Sequence, residues 1–180
     1  MWRKTPLPEI NKVSSFEEAV LPHIDSAFNL ARWLTRDDAD AEDVVQESYL
    51  RAFKYFGGFR GGDSRAWLLK IVRNTSYSWL QKNRQLVTMT EFDEELHGID
   101  VSDAETHLIE NIDRDMLRLL LEELPTEFRE VVILRDLEGL SYKEIAGIAD
   151  IPLGTVMSRL ARAHQRMQTA VIALHKGGLK

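Results

Sequence analysis

Three groups of side chains in this sequence have the types and spacing to bind charged partners. Arg159, Arg162 and Arg166 recur at three- and four-residue intervals and fall on one face of a helix. Such a row of guanidinium groups suits guanine edges or phosphates in duplex DNA. Between Pro152 and Lys180 there are five Lys or Arg and no Asp or Glu, so this end is locally cationic. A second stripe, Lys70, Arg73, Asn74, Tyr77, Gln81 and Arg84, mixes cation, amide and aromatic ring. With Tyr55 and Phe59 nearby, it combines charges that follow phosphates with rings on which unpaired bases stack. Third, Asp40, Glu42, Asp43 and Glu47 crowd the first turns of a helix, where negative charge suits the helix dipole and could also meet a partner. Each group has a plainer explanation in a solvated helix face, a core aromatic or a helix cap. Catalysis is not indicated. His23, His97, His107, His164 and His175 are scattered, no metal-binding, nucleophile-elbow or P-loop spacing occurs, and cysteine is absent. The expectation is a binding protein with no catalytic residue, metal or cofactor.

The elements that must hold these groups read as helices. Phe16, Val20, Ile24, Ala27, Phe28, Ala31 and Leu34 follow helical spacing, with Pro22 placed to kink or split the run. A second helix starts near Asp38 or Asp40 and ends near Phe56, its expected apolar face being Val45, Tyr49, Ala52, Phe53 and Phe56. A glycine-rich loop from Gly57 to Gly62 follows, then a third helix from about Asp63 to Asn83 with Leu68, Ile71, Val72, Thr75 and Trp79 inward. In the C-terminal half, Pro125 suits a first helical position and Phe128, Val131, Val132 and Leu134 continue at helical spacing until Gly139. Ser141 with Glu144 is a capping-box pattern for a short helix from Tyr142 to Ala149, with Ile145 and Ile148 inward. Asp150 to Gly154 is a turn, and Thr155 is the expected cap of a last helix that buries Val156, Leu160, Ala163 and Met167. Two helices around a short turn with arginines on the second form a helix-turn-helix, whose second helix enters the major groove. An amphipathic helix pair in an ordinary bundle shares part of this pattern.

Charge divides the chain. Its net charge is -6, yet Glu91 to Thr106 holds seven acidic residues and no Lys or Arg, leaving the other 164 residues at +1. Lys54 to Thr90 carries seven Lys or Arg against Asp63 alone. Two basic regions separated by an acid-rich stretch suggest two small helical domains joined by an acidic, flexible linker, an all-α protein whose interdomain angle is left free. No apolar run reaches the length of a membrane span and the opening MWRKTPLPEINK lacks a secretion signal's apolar core, so the expected location is cytoplasmic, with no membrane contact.

DADAEDVVQESYLRAFKYF, GGFRGGDSRAWLLKIVRNT and LPTEFREVVILRDLEGLSYKEIAGIADIPLGTVMSRLARA, in that order, resemble regions 2.2, 2.3 to 2.4, and 4 of the extracytoplasmic-function (ECF) sigma factors of bacterial RNA polymerase. The resemblance implies a tail over 1–14, region 2 over 15–90, an acidic linker over 91–106 and region 4 over 107–176. It implies core RNA polymerase as partner, through the clamp helices of the largest subunit and the flap of the second-largest, with Asp40, Glu42, Asp43, Gln46 and Glu47 docking on the clamp helices. It assigns minus-10 binding and capture of a flipped base to Phe59, Arg60, Gly61, Asp63, Ser64, Lys70, Arg73, Asn74 and Tyr77, so that single-stranded DNA is a partner. It assigns minus-35 duplex to Arg159, Arg162 and Arg166, with Thr155 and Ser158 on the DNA backbone. It further implies sequestration by an anti-sigma factor. SYSWLQKNRQ and Ala163-His164-Gln165 are less basic than in many relatives, so the duplex affinity of the chain alone is expected to be low. The rival reading is an autonomous helix-turn-helix regulator, which leaves the acidic helix and the aromatic-basic helix without a task.

Overall fold

The computed structural model describes residues 9–84 and 114–177, which form eight α-helices; the acid-rich segment lies outside the described residues. They are α1 (Glu9–Val20), α2 (Ile24–Thr35), α3 (Asp38–Tyr55), α4 (Ser64–Arg84), α5 (Arg114–Glu123), α6 (Thr126–Val132), α7 (Tyr142–Ala149) and α8 (Leu153–Gly177). Helix is already present from Glu9, inside the stretch expected to be a tail.

The helix ends follow local chemistry. Pro22 sits in a single 3-10 turn, Leu21–His23, that splits α1 from α2. Asp37 caps α3 by accepting the Asp40 N–H at 3.0 Å, and Asp63 caps α4 by accepting the Ala66 N–H at 3.1 Å. At α7 the full capping box is formed: Glu144 takes the Ser141 N–H at 2.6 Å and the Ser141 hydroxyl oxygen takes the Glu144 N–H at 3.3 Å. Ser141→Ala is accordingly expected to lower stability by about 1 kcal/mol. Urea unfolding followed by circular dichroism checks this, and an unchanged midpoint would contradict it.

Two expected termini move. Pro125 is the residue before α6, not its first helical position. Helix α8 starts at Leu153, so Thr155 lies within its first turn instead of capping it; the carbonyl of Pro152 already accepts the N–H groups of Thr155 and Val156. Between α6 and α7 the chain passes through one π-helical turn, Ile133–Leu137, and reverses at Gly139, whose φ of 68° is costly for any residue with a Cβ.

On α3 the expected apolar face holds in part: Ala52 is buried and Val45, Tyr49 and Phe56 pack against the core, but Phe53 is exposed. The buried residues of α3 are the small or short Ala41, Val44, Ser48 and Ala52, which let α2 and α4 approach closely. Tyr49, Phe53 and Phe56 instead gather edge-on around Phe16 of α1, with ring centroids 6.4, 5.3 and 5.3 Å away. Of the α1–α2 stripe, Phe16, Val20, Ala27, Ala31 and Leu34 are buried, whereas Ile24 and Phe28 are exposed. On α4, Leu68, Val72 and Thr75 are buried as expected, together with Leu69 and Ser76.

The two regions do not stand apart. Helix α4 packs on α7 and α2 packs on α6, so residues of both halves form one continuous hydrophobic core. The interdomain arrangement, which the sequence leaves open, is set here by direct side-chain contact between the halves. Arg129 of α6 is fully buried at this junction. Its guanidinium donates to the carbonyls of Leu121 at 2.7 Å, Leu124 at 2.6 Å and Trp33 at 2.9 Å, the last across the boundary. Burial lowers its pKa to about 10, with the nearby positive charge of Arg36 acting in the same direction, so it remains charged at neutral pH.

Candidate nucleic-acid interface

The C-terminal site is built on α7 and α8. Val156, Leu160, Ala163 and Met167 are buried, fixing which face of α8 turns outward. On the other side Arg166 is exposed with its guanidinium 4.9 Å from the centre of the Phe128 ring, while Arg159 and Arg162 are half-buried. The arginine row is thus present but less open than its spacing predicts, with one member held over an aromatic face. Thr155 and Ser158 are half-buried, and the Ser158 hydroxyl donates to the Thr155 carbonyl at 3.1 Å. His164 bonds Asp136 at 2.7 Å, tying α8 to the π-helical turn.

The N-terminal site begins at the loop before α4. Gly61 and Gly62 have φ of 85° and 102°, a backbone that residues with a Cβ rarely adopt. Phe59 is half-buried, stacked on Phe56 at 5.8 Å and tilted against Trp67 at 5.0 Å, and it lines an open pocket of about 610 Å³ with Gly57, Gly58 and Arg60. Arg60, Gly61 and Asp63 are exposed; Ser64 is half-buried with its hydroxyl 3.1 Å from the His23 ring. Tyr55 is 60% exposed, beside the Lys54 ammonium at 5.6 Å.

Along α4 the expected stripe divides. Lys70, Asn74 and Gln81 face solvent. Arg73 and Tyr77 do not: the Arg73 Nε and the Tyr77 hydroxyl both donate to Glu130 of α6, at 2.6 and 3.0 Å, with the guanidinium 4.2 Å from the tyrosine ring centre. Burial, followed by the charge of Glu130, raises the Tyr77 hydroxyl pKa well above its ordinary value. The open stripe read from helical spacing is corrected at these two positions, because a carboxylate from the other region occupies them.

On α3, Glu42, Asp43, Gln46 and Glu47 are exposed along one side and Asp40 is half-buried. Local desolvation, then the charges of Asp37 and Asp43, raise the Asp40 carboxyl pKa. Glu47 accepts from Arg51 one turn away at 2.7 Å, an exposed pair that adds little stability.

Sequence spacing missed the groups that link the regions. Besides Glu130 and Arg129, Glu138 accepts from Asn29 Nδ2 at 2.6 Å and pairs with Arg65. A signal for Glu130 and Arg129 is present in retrospect. VVIL, 131–134, is an unbroken apolar run, and a helix apolar on all sides is buried on all sides, taking its flanking charges with it.

Residues 19–85 match the family described as Sigma-70 region 2, and residues 114–167 match Sigma-70, region 4. The fold and these matches define a two-region protein of the sigma-70 class. The chain is 34% identical over 141 residues to the ECF RNA polymerase sigma-E factor of Salmonella typhimurium, covering 73% of this chain and 74% of that one. It is 33% identical over 156 residues to the ECF RNA polymerase sigma factor SigE of Mycolicibacterium smegmatis, covering 86% of this chain but 60% of that relative's length. A solved structure of the sigma factor RpoE with the anti-sigma factor NepR from Bartonella quintana superposes with a TM-score of 0.69 at 27% identity, over 87% of this chain and 96% of that one. CnrH, in complex with the cytosolic domain of CnrY, shares the fold at a TM-score of 0.60 and 23% identity. The chain belongs to the ECF RNA polymerase sigma factors, which are transcription initiation factors and not enzymes. No helix among the described residues is long and apolar enough to cross a membrane.

Proposed function

We propose that this sigma factor joins core RNA polymerase through the exposed acids of α3, holds minus-35 duplex with α8, and captures unpaired minus-10 bases with the loop before α4 and with α4 itself. Division of labour between duplex and single strand biases the promoter toward the open bubble, since the factor favours a state in which one strand is unstacked. The observation that carries the reading is the coexistence, in one two-region sigma chain, of solvent-facing acids on α3, an open pocket lined by Phe59 and Arg60, and an arginine-bearing second helix of a helix-turn-helix. Control by an anti-sigma factor is part of the proposal, supported by the similarity to a sigma factor solved in complex with one. So is a cytoplasmic location, where polymerase and promoter are met.

Run-off transcription with purified core polymerase, followed by mapping of start sites, tests the reading. Transcription dependent on the factor is expected, and its absence on genomic templates would sink the proposal. Arg159→Ala combined with Arg162→Ala is expected to reduce promoter-specific initiation by about 10- to 100-fold, two lost contacts at roughly 1 kcal/mol or more each. Polymerase binding should persist, because that contact is assigned to α3. Equal losses in both assays would mean that the arginines support the fold and do not read DNA.

A further inference from the structure

Region 4 presents two exposed apolar side chains on the first turns of its last helix. Leu153 is 49% exposed and Met157 37%, one turn apart on α8 and next to the exposed Pro152. At about 100° per residue, Met157 and Arg159 stand on opposite sides of Ser158, so the arginine row runs along one flank of the helix and this pair along the other. Gly154 is exposed in the same turn. A glycine weakens a helix relative to alanine, yet nothing inside the protein calls for one here: a Cβ at Gly154 would meet no atom within 4 Å, and its backbone is not left-handed. A helix surface left bare in this way lets an outside surface come close.

Size and charge select what that surface is. The other exposed large apolar residues described in region 4 are Leu119 on α5 and, towards the far end of α8, Ile172 and Leu174; Ile172 is roughly 22 Å along the helix from Met157. Two side chains and a proline fall far short of the roughly 800 Å² that one side of a protein interface covers. No Asp or Glu occurs between Pro152 and Lys180, so α8 carries no charge that repels a phosphate. The second helix of a helix-turn-helix meets base edges with its N-terminal residues, and the apolar group displayed on those edges in the major groove is the thymine C5-methyl.

We propose that Leu153 and Met157 read thymine methyl groups in the upstream duplex, adding methyl-dependent specificity to the arginine contacts on the opposite flank. This rests on the reading of α8 as the duplex-binding helix. Four residues of helix rise about 6 Å, close to two base steps of about 3.4 Å each, so the pair spans thymines at neighbouring positions. Thymine and uracil differ in the methyl group alone, and burying that group against an apolar side chain takes apolar surface of both partners out of water.

The test uses holoenzyme, the full chain with core polymerase, on a duplex carrying a promoter mapped by the run-off assay. Hydroxyl-radical footprinting locates the protected upstream duplex, and dU then replaces its thymines, singly and together. Holoenzyme is expected to bind the fully substituted duplex about 3- to 10-fold more weakly, with the loss concentrated within about three adjacent base pairs. Leu153→Ala with Met157→Ala should bind the thymine duplex as weakly and be indifferent to dU, whereas Met157→Leu should stay sensitive. Both positions are exposed, so the circular dichroism spectrum should not change. Unchanged affinity of the unaltered chain for the dU duplex overturns the inference while leaving α8 on DNA, and so does a protected element without thymine. A double alanine variant that still senses dU gives the methyl contact to other residues and overturns it. Loss of core-polymerase binding by that variant, with no dU effect, gives the patch to a protein and overturns it too. No upstream protection at all overturns the reading of α8 itself, and the inference with it.

Discussion

Arg129→Ala is expected to destabilise the protein by about 3 to 5 kcal/mol, through loss of a buried hydrogen-bond network centred on a charge. The substitution takes the guanidinium donor from the carbonyls of Leu121, Leu124 and Trp33; Leu121 keeps the Leu124 N–H at 3.3 Å and Leu124 keeps Arg36 at 3.5 Å, both longer than the bonds lost. A buried polar group left unpaired costs roughly 1 to 3 kcal/mol, and the weakened bonds and the cavity left by a long side chain add to it. For a chain of this size the melting temperature should fall by roughly 10 °C or more, read by calorimetry. Arg129→Lys should recover only part of the loss, since one ammonium cannot span a fork of carbonyls facing different directions. A shift of less than about 2 °C in the alanine variant would show that the network contributes almost nothing, against the general cost of unpaired buried groups.

The second large effect concerns assembly. Asp43→Arg with Glu47→Arg is expected to weaken core-polymerase binding by about 100-fold, because two attractive contacts become repulsive ones at close range. The fold should tolerate both. Each side chain is exposed, and the interaction lost at Glu47 is a single surface pair with Arg51. Binding to immobilised core polymerase, measured beside the circular dichroism spectrum of each variant, separates the two consequences. Unchanged holoenzyme formation would remove this side of α3 from the polymerase interface.

Much of the helical framework was legible because its signals are local. Pro22 breaks the first run, Ser141 and Glu144 start α7 four residues after the π-helical turn, and Val156, Leu160, Ala163 and Met167 lie buried along α8 as their spacing requires. Where a local rule had a competitor, it failed. Thr155 is a good cap former, yet the Pro152 carbonyl starts α8 earlier. The aromatic residues of α3 are the more apolar, yet Ala41, Val44, Ser48 and Ala52 are the ones buried, because a helix between two close neighbours needs small side chains. The candidate site was legible as a set of residue types and not as an arrangement. Arg73 meets Glu130 across 57 positions and Arg65 meets Glu138 across 73, and no helical period relates residues so far apart. Periodicity identifies a polar stripe, but not whether water or another region lies against it.

The continuous core has an evolutionary consequence. Sigma regions 2 and 4 look exchangeable, since each is a recognisable family unit of its own, but here α4 and α7 bury one another's apolar surface. A region 4 inherited by recombination would bring a mismatched inner surface. Drift in the two halves is therefore coupled, and an exchange of the C-terminal half must be followed by repair on α2 and α4.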